Sequence, residues 1–316
     1  MLDLADSWVW DFWLAEADGT YHLFFLFASR ALGDEHRRHR RASIGHAIST
    51  DLHNWTRVTD ALVRSDPPAA DSVATWTGSV VRGVDGTWRL YYTGCSDEPV
   101  PTTQRVMVAT STDLYTWQKS ETVEAAADSR WYLTGDISAV EAFRDPWVFR
   151  HDGAWHMITT ASARDAAPED CGVLGHATSV DLERWETLAP LTEPGSGFAQ
   201  LEVPQIVEID GRYLLVFSCL GPELAPWRQQ LFGGGGVWVA SATGPLGPFD
   251  LDGARLLTDA SRYAGKVVSG RDGTLLFLAF ENFVGDEFIG RLADPVDFRE
   301  LLGRAGFAPA AAPGHR

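Results

Sequence analysis

The chain has 316 residues, a formal net charge of -17 at pH 7 and 45% hydrophobic residues. Because such a negative surface repels the phosphates of nucleic acid, we exclude nucleic acid as a partner. No apolar run reaches the roughly 20 residues needed to cross a bilayer, so no membrane partner is expected.

The opening residues MLDLADSWVW lack a basic region followed by an apolar stretch, so we expect no signal peptide. The three cysteines, Cys95, Cys171 and Cys219, form no C-x-x-C pair and are too few for a disulfide framework. We interpret them as reduced, buried thiols, which favours a cytoplasmic protein. No cofactor and no metal site are predicted, and the oligomeric state is left open.

An Asp-Gly turn between two apolar strands occurs five times along the chain. The turn glycines are Gly19, Gly86, Gly153, Gly211 and Gly273. Asp-Gly between alternating apolar residues predicts a hairpin whose two turn residues both adopt positive φ. Because the copies recur about every 60 residues, one supersecondary unit is repeated. The pattern predicts an all-β fold, a five-bladed β-propeller.

A second repeat, in which an apolar strand and a polar turn precede an aromatic residue, lies inside the first. It spans Ile44–Trp55, Val106–Trp117 and Leu174–Trp185, and a degenerate copy spans Val237–Phe249. We interpret each copy as the third strand of a blade followed by an aromatic anchor, and we expect the anchors to pack between blades. Radial repetition leaves only short sheet edges.

The two ends of the chain are expected to behave differently. The fifth unit, from about Lys266 to Phe298, is short, so we expect Leu2–Ser7 to pair with it and close the ring. The propeller is predicted to span residues 1–302, and residues 303–316 to form a disordered tail. One basic run, His36–Arg41, is interpreted as a solvated loop, with a subunit contact or a substrate rim as the alternative.

Acidic residues recur at one depth in the strands that precede the Asp-Gly turns. Asp11 and Asp145 lie eight residues before their turn glycines and Glu202 lies nine before its own, whereas two units carry Gly78 and Gly265. A carboxylate within an apolar strand is costly unless it is hydrogen-bonded or functional. Because the innermost strands of a propeller converge on its axis, we expect the three acids to meet there.

Converging carboxylates ringed by tryptophan, without a cluster of metal-binding histidines, favour glycoside hydrolysis. One carboxylate attacks the sugar or activates water, while another protonates the leaving oxygen. Burial and mutual repulsion hold their pKa values apart. A small-molecule sugar is therefore the predicted ligand.

Five segments carry a family resemblance. Trp10–Trp13 is similar to the Trp-Asp-Ser-Trp of family 68 levansucrases, and Trp76–Ser79 resembles the Trp/Phe-Ser-Gly-Ser of families 32 and 68. Arg144–Pro146 matches an Arg-Asp-Pro triplet, and Glu202–Pro204 is similar to Glu-Cys-Pro. Gly45–Trp55 resembles the Gly-His-Ala-x-Ser-x-Asp-Leu-x-x-Trp of family 32. The chain thus resembles the β-fructosidases of glycoside hydrolase family 32, here in a form expected to lack the C-terminal β-sandwich.

The resemblance implies a retaining hydrolase that releases terminal fructofuranosyl units from sucrose or short fructo-oligosaccharides. It implies that Asp11 is the nucleophile and Glu202 the acid/base. It also implies that Asp145 binds ring hydroxyls of the fructosyl unit and that Arg144 beside it balances the negative charge. The other expected substrate-binding residues are Trp10, Trp13, Trp76, Thr77, Ser79, Tyr263 and Lys266.

Three alternatives remain open. An inverting arabinofuranosidase or xylosidase of the family 43 type would use the same propeller with three acids. A transfructosylase would pass the fructosyl unit to a sugar instead of water. A sugar-binding propeller would hold its ligand without cleaving it.

Overall fold

The computed structural model describes residues 1–135 and 141–307, which fold into five radially arranged four-stranded sheets. The first blade contains β1 (Ser7–Ala17), β2 (Thr20–Ser29), β3 (Ser43–Ser49) and β4 (Thr56–Arg57). The second contains β5 (Ala74–Arg82), β6 (Trp88–Ser96), β7 (Thr103–Ser111) and β8 (Gln118–Ala125). The third contains β9 (Phe143–His151), β10 (Ala154–Ser162), β11 (Gly172–Ser179) and β12 (Glu186–Leu188).

The fourth blade contains β13 (Glu202–Ile209), β14 (Arg212–Cys219), β15 (Gly236–Ala242) and β16 (Phe249–Asp259). The fifth contains β17 (Arg262–Ser269), β18 (Leu275–Val284), β19 (Glu287–Leu292) and β20 (Val296–Asp297), and here β20 pairs back onto β18. Within each blade, neighbouring strands run antiparallel. The prediction of a five-bladed all-β propeller is confirmed.

In the described part of the chain, short helices and 3₁₀ turns lie in the connections between strands and after the last strand. The α-helices are α1 (Pro226–Phe232) and α2 (Phe298–Arg304), and 3₁₀ turns span Arg30–Leu32, Glu35–Arg40, Pro168–Asp170 and Gly221–Glu223. None of these helices is long and apolar enough to cross a membrane.

The Asp-Gly turns divide into two kinds. Asp18, Asp152 and Asp210 have φ of 50°, 46° and 53°, and the glycine after each is also positive, as a two-residue hairpin turn requires. In blades two and five only the glycines, Gly86 and Gly273, have positive φ, because longer loops join those strands. Positive φ at both turn residues was therefore wrong for these two units.

The second repeat has a local hydrogen-bonding cause. In blade one, Oγ of Ser49 accepts from the Leu52 amide at 3.0 Å, and Oδ1 of Asp51 accepts from the amides of His53 and Asn54. These bonds hold Leu52 at φ 65° and turn the chain back toward the tryptophan. The same pattern recurs at Ser111–Leu114 and Ser179–Leu182.

The aromatic anchors pack between blades, as expected. Trp117 of blade two meets Phe24 of blade one edge-on at 5.5 Å, and Trp185 of blade three meets Tyr91 of blade two at 5.4 Å. Trp55 packs against a cluster that joins blades one and five. The core is therefore a series of interfaces between neighbouring sheets.

The ring closes through the N-terminal stretch. The Leu292 amide of β19 donates to the carbonyl of Leu2 at 3.0 Å, so the expected closure takes the form of one isolated bridge. At the other end, α2 buries Phe298 and Leu302 against blades four and five, and the expected boundary at residue 302 falls within this helix. Residues 308–316 of the expected tail lie outside the described residues.

Candidate active site

One irregularity recurs in all five innermost strands. The strand register shifts at Asp11 in β1, Thr77 in β5, Asp145 in β9, Val203 in β13 and Ala264 in β17. Three of these bulge residues, Asp145, Val203 and Ala264, have φ between 49° and 58°. A bulge bends its strand and re-aims a side chain. The repeated bulges therefore turn the inner strands toward one point on the axis.

A cavity of about 420 Å³ opens at that point. All five innermost strands line it, and its floor holds Asp11, Asp145 and Glu202 together. The remaining lining residues are Trp10, Leu26, His36, Arg38, His39, Trp76, Thr77, Gln104, Arg144, Val203, Leu220, Glu223, Tyr263, Phe280, Asn282 and Phe283. The cavity thus combines aromatic walls with a polar, carboxylate-rich floor.

Asp11 is held by its neighbour on the next strand. Oγ1 of Thr77 donates to Oδ2 of Asp11 at 2.5 Å. Burial, together with the nearby Asp145 and Glu202, raises the pKa of Asp11 to about 7, while the Thr77 bond and the Arg38 charge act in the opposite direction. Asp11 therefore changes charge near neutral pH.

Asp145 is 5% exposed and held from several sides. Its Oδ2 accepts from Oγ1 of Thr160 at 2.8 Å and from the Val203 amide at 3.1 Å, and Nε of Arg144 lies 3.6 Å away. Burial raises the pKa of Asp145, against the lowering effect of Arg144. Both hydrogen bonds end on Oδ2, so Oδ1 is the oxygen without these contacts.

Both carboxylate oxygens of Glu202 accept a hydrogen bond. Nη2 of Arg144 donates to Oε1 at 2.5 Å, and the Tyr263 hydroxyl donates to Oε2. Burial alone would lower the pKa of Arg144. The negative charges of Glu202 and Asp145 have the larger effect, so the pKa of the guanidinium is raised. Arg144 therefore stays charged and links two of the three acids.

Eight of the eleven expected site residues line the cavity. They are Trp10, Asp11, Trp76, Thr77, Arg144, Asp145, Glu202 and Tyr263. Trp13, Ser79 and Lys266 do not line it. Trp13 is 1% exposed and stacks on Phe24 at 6.3 Å. Oγ of Ser79 accepts from the Val148 amide at 3.1 Å and joins blade two to blade three. Lys266 donates to backbone carbonyls. The expected substrate contacts of these three residues do not fit their positions.

The three displaced residues share a geometric cause. Trp13, Ser79 and Lys266 each lie two residues beyond the bulge residue of their strand. Two residues of extended chain cover about 6–7 Å. Trp13 and Lys266 accordingly line a second cavity, of about 220 Å³, with Trp147 and Gln205, which lie two residues beyond the bulges of β9 and β13.

Several lining residues outside the expected site residues lie in the connections between strands. His36, Arg38 and His39 belong to the basic run, so of the interpretations offered for it the substrate rim fits this part of the loop. Arg38 is 6% exposed, and its guanidinium lies 3.8 Å from the Phe288 ring centroid. Glu223 was missed by the sequence analysis, and burial beside Glu202 raises its pKa to about 7. Its only sequence signal was an acid in the loop after β14.

No group of three or more His, Cys, Asp or Glu side chains suited to hold a metal ion is found within residues 1–135 and 141–307.

Comparison with known proteins shows the family to which the chain belongs. The family described as "Glycosyl hydrolases family 32 N-terminal domain" matches residues 13–246, which is most of the chain. The chain belongs to glycosyl hydrolase family 32. The match includes Asp145 and Glu202 and begins two residues after Asp11.

Relatives within family 32 are only moderately similar. The chain is 29% identical over 220 residues to the sucrose-6-phosphate hydrolase of Bacillus subtilis, covering 67% of this chain and 41% of that protein. It is 28% identical over 277 residues to the raffinose invertase of Escherichia coli, covering 84% of this chain and 52% of that protein. The chain therefore spans about half the length of these curated relatives or less.

Solved structures share the fold. Inulosucrase from Halalkalicoccus jeotgali bound to kestose superposes with a TM-score of 0.75 at 23% identity, covering 93% of this chain and 85% of that one. The catalytic domain of Microbacterium saccharophilum K-1 β-fructofuranosidase gives 0.72 at 19% identity, with coverages of 94% and 80%.

Proposed function

We propose that this family 32 chain is a retaining β-fructosidase that releases terminal fructofuranosyl units from sucrose or short fructo-oligosaccharides. The observation that carries the proposal is the meeting of Asp11, Asp145 and Glu202 in one aromatic-walled cavity. The names of the relatives, sucrose-6-phosphate hydrolase and raffinose invertase, support a fructoside as the substrate.

In this mechanism Asp11 attacks the anomeric carbon and forms a covalent fructosyl intermediate. Glu202 protonates the leaving oxygen and then deprotonates the incoming water, and proton transfer of this kind contributes roughly 10²–10⁴-fold. Thr77 and Arg38 both favour the ionised form of Asp11, which is the form that attacks.

Asp145 binds rather than reacts. Because Oδ2 is already bonded to Thr160 and Val203, Oδ1 is the oxygen that accepts from the sugar hydroxyls. These bonds strengthen as positive charge develops on the sugar ring, so the interaction stabilises the transition state more than the substrate. Trp10 and Trp76 supply apolar walls, together with Phe280.

The proposed compartment is the cytoplasm. Cys95, Cys171 and Cys219 are free and buried, which suits a reducing environment. A small sugar is the substrate expected there.

The test is to incubate the protein with sucrose, sucrose 6-phosphate, kestose, inulobiose, levanbiose and an aryl arabinofuranoside, and to follow products by NMR. We expect fructose to be released, first as the β-anomer. First release of the inverted anomer, or preferred cleavage of the arabinofuranoside, would favour the family 43 type of chemistry. Growth of longer oligosaccharides would indicate a transfructosylase, and binding without cleavage would indicate a sugar-binding propeller.

A further inference from the structure

Lys266 is one of two lysines in the chain and lies in β17, the innermost strand of blade five. It is 3% exposed, follows the bulge of β17 and lines the second cavity. Its Nζ donates to the carbonyls of Val203 and Pro204 at 3.2 and 3.3 Å and lies 5.0 Å from the centroid of Trp147. Its donors are thus directed at the backbone of β13.

Those two carbonyls belong to the bulge that directly follows Glu202. In the pairing with β14, Glu202 faces Ser218 and Gln205 faces Val216, so Val203 and Pro204 together face one residue. Val203 has φ 51°, a conformation that is strained for a β-branched side chain and persists only when its surroundings enforce it. Buried carbonyls that leave a sheet need another donor, and the ammonium of Lys266 supplies it.

The Val203–Pro204 bulge also contacts the first cavity, because Val203 lines it and bonds to Asp145. The amide of Val203 donates to Oδ2 of Asp145, while its carbonyl accepts from Lys266. The bulge is therefore held by the Asp145 carboxylate, which accepts from the Val203 amide, and by Lys266, which donates to the Val203 carbonyl. Its position sets the direction of the Glu202 side chain, which begins one residue earlier.

The charge of Lys266 is also placed to act on the acids. Burial lowers its pKa to about 7, and Asp145 and Asp11 act in the opposite direction. The other titratable groups on its cavity are Glu16 and Tyr21. The charges of Asp145 and Asp11 thus favour the protonated form of Lys266 although it does not line the first cavity.

We propose that Lys266 is a positioning residue, whose ammonium fixes the Val203–Pro204 bulge and so aims Glu202 at the leaving oxygen and the Val203 amide at Asp145. This inference rests on the proposed function for its kinetic consequences. Its structural part, the support of a strained bulge, stands independently of any activity.

The kinetic test compares Lys266→Met with Lys119→Met. Lys119, the other lysine, lies in β8 of blade two, bonds to Ser65 and Asp71 in the connection between blades one and two, and does not line the first cavity. We expect Lys266→Met to lower kcat on sucrose roughly 100-fold, since small displacements of a reacting group have effects of that size. The loss should be smaller on fructosyl fluoride, whose leaving group needs little protonation by Glu202. Lys119→Met should leave both rates unchanged.

A kcat of Lys266→Met equal to the wild type, or an equal loss on both substrates, would overturn the positioning of Glu202. If the wild-type protein cleaves no fructoside, the proposed function fails, and the structural part is decided by a stability cycle that needs no substrate.

That cycle combines Lys266→Met with Val203→Gly. Glycine adopts φ 51° without strain, so the bulge then depends less on Lys266. We expect Lys266→Met to lower Tm more in the wild-type background than in the Val203→Gly background, and the double variant to fold even if the single variant does not. Equal losses in both backgrounds, or a double variant that fails to fold, would overturn the proposal.

Discussion

Thr77 donates a 2.5 Å hydrogen bond to Asp11, and both residues occupy the bulge position of adjacent inner strands. The bond joins blade one to blade two at the floor of the cavity. Because it is made to a carboxylate oxygen, it favours the ionised form of Asp11.

Thr77→Val keeps the shape of the side chain and removes the donor. Hydrogen bonds to charged groups are worth about 1.5–3 kcal/mol. We expect kcat/KM on sucrose to fall roughly 10–100-fold and the acid limb of the pH profile to move to higher pH. The matched control is Thr75→Val, because Thr75 is buried two residues earlier and donates to the carbonyl of Ala42. That variant should lose stability but keep its pH profile, and a similar profile shift in both variants would contradict the assignment.

The pH dependence of activity depends on Arg38. A nucleophilic Asp11 must be ionised, so kcat/KM should fall as pH drops through about 7, the pKa of Asp11. Arg38 lowers this pKa, and Arg38→Met should therefore move the acid limb further upward. Because the acids interact, the measured value belongs to the cluster. Arg40→Met is the control, since Arg40 pairs with the exposed Asp97; an unmoved limb in Arg38→Met would remove Arg38 from this role.

Asp11 should also cost the protein stability at neutral pH. Its folded-state pKa lies above the ordinary value of 3.8, so the native state binds the proton more tightly than the unfolded state. Stability is therefore lost as pH rises from about 4 to 7. Asp11→Asn should abolish activity and raise the free energy of unfolding by about 4 kcal/mol at pH 8, with no gain near pH 4. Asp152→Asn, in an exposed turn, removes the same charge and should show no such dependence in denaturant titrations.

Two glycine-to-alanine changes should have opposite effects. A Cβ on Gly78, in the bulge beside Thr77, would lie 1.9 Å from the carbonyl oxygen of Tyr91. Gly78→Ala should therefore destabilise by about 3 kcal/mol, because backbone must move. Gly303 in α2 has nothing within 4 Å of the same position, so Gly303→Ala should stabilise by about 0.5–1 kcal/mol. Thermal unfolding measures both, and an unchanged Tm for Gly78→Ala would refute the close approach.

The sequence predicted the blades and the three acids for a physical reason. Asp-Gly turns mark the end of each inner strand, and counting back from Gly19 and Gly153 reaches the bulge residues Asp11 and Asp145. The same count in blade four reaches Val203, so Glu202 is offset by one residue and its side chain is aimed by the bulge that follows it.

The sequence could not predict which residues of an inner strand line the first cavity and which line the second. Trp13 is expected in the site from the Trp10–Trp13 motif, and Lys266 from its place on the inner strand of the fifth unit, yet two residues of strand carry them past the bulges to the second cavity. Arg38 and Glu223 lie on loops after β2 and β14, and no periodicity fixes where a loop folds. Their approach to the acids depends on tertiary packing.

The most direct test of the retaining mechanism is to trap the covalent intermediate. Glu202→Gln keeps the shape of the acid/base but cannot activate water, so an activated fructosyl fluoride should load the enzyme and accumulate there. Peptide mass spectrometry after rapid quenching is expected to find one added fructosyl unit on the peptide that contains Asp11, and none in Asp11→Asn/Glu202→Gln. A fructosyl unit on another carboxylate, or wild-type turnover of fructosides by Asp11→Asn, would contradict the account.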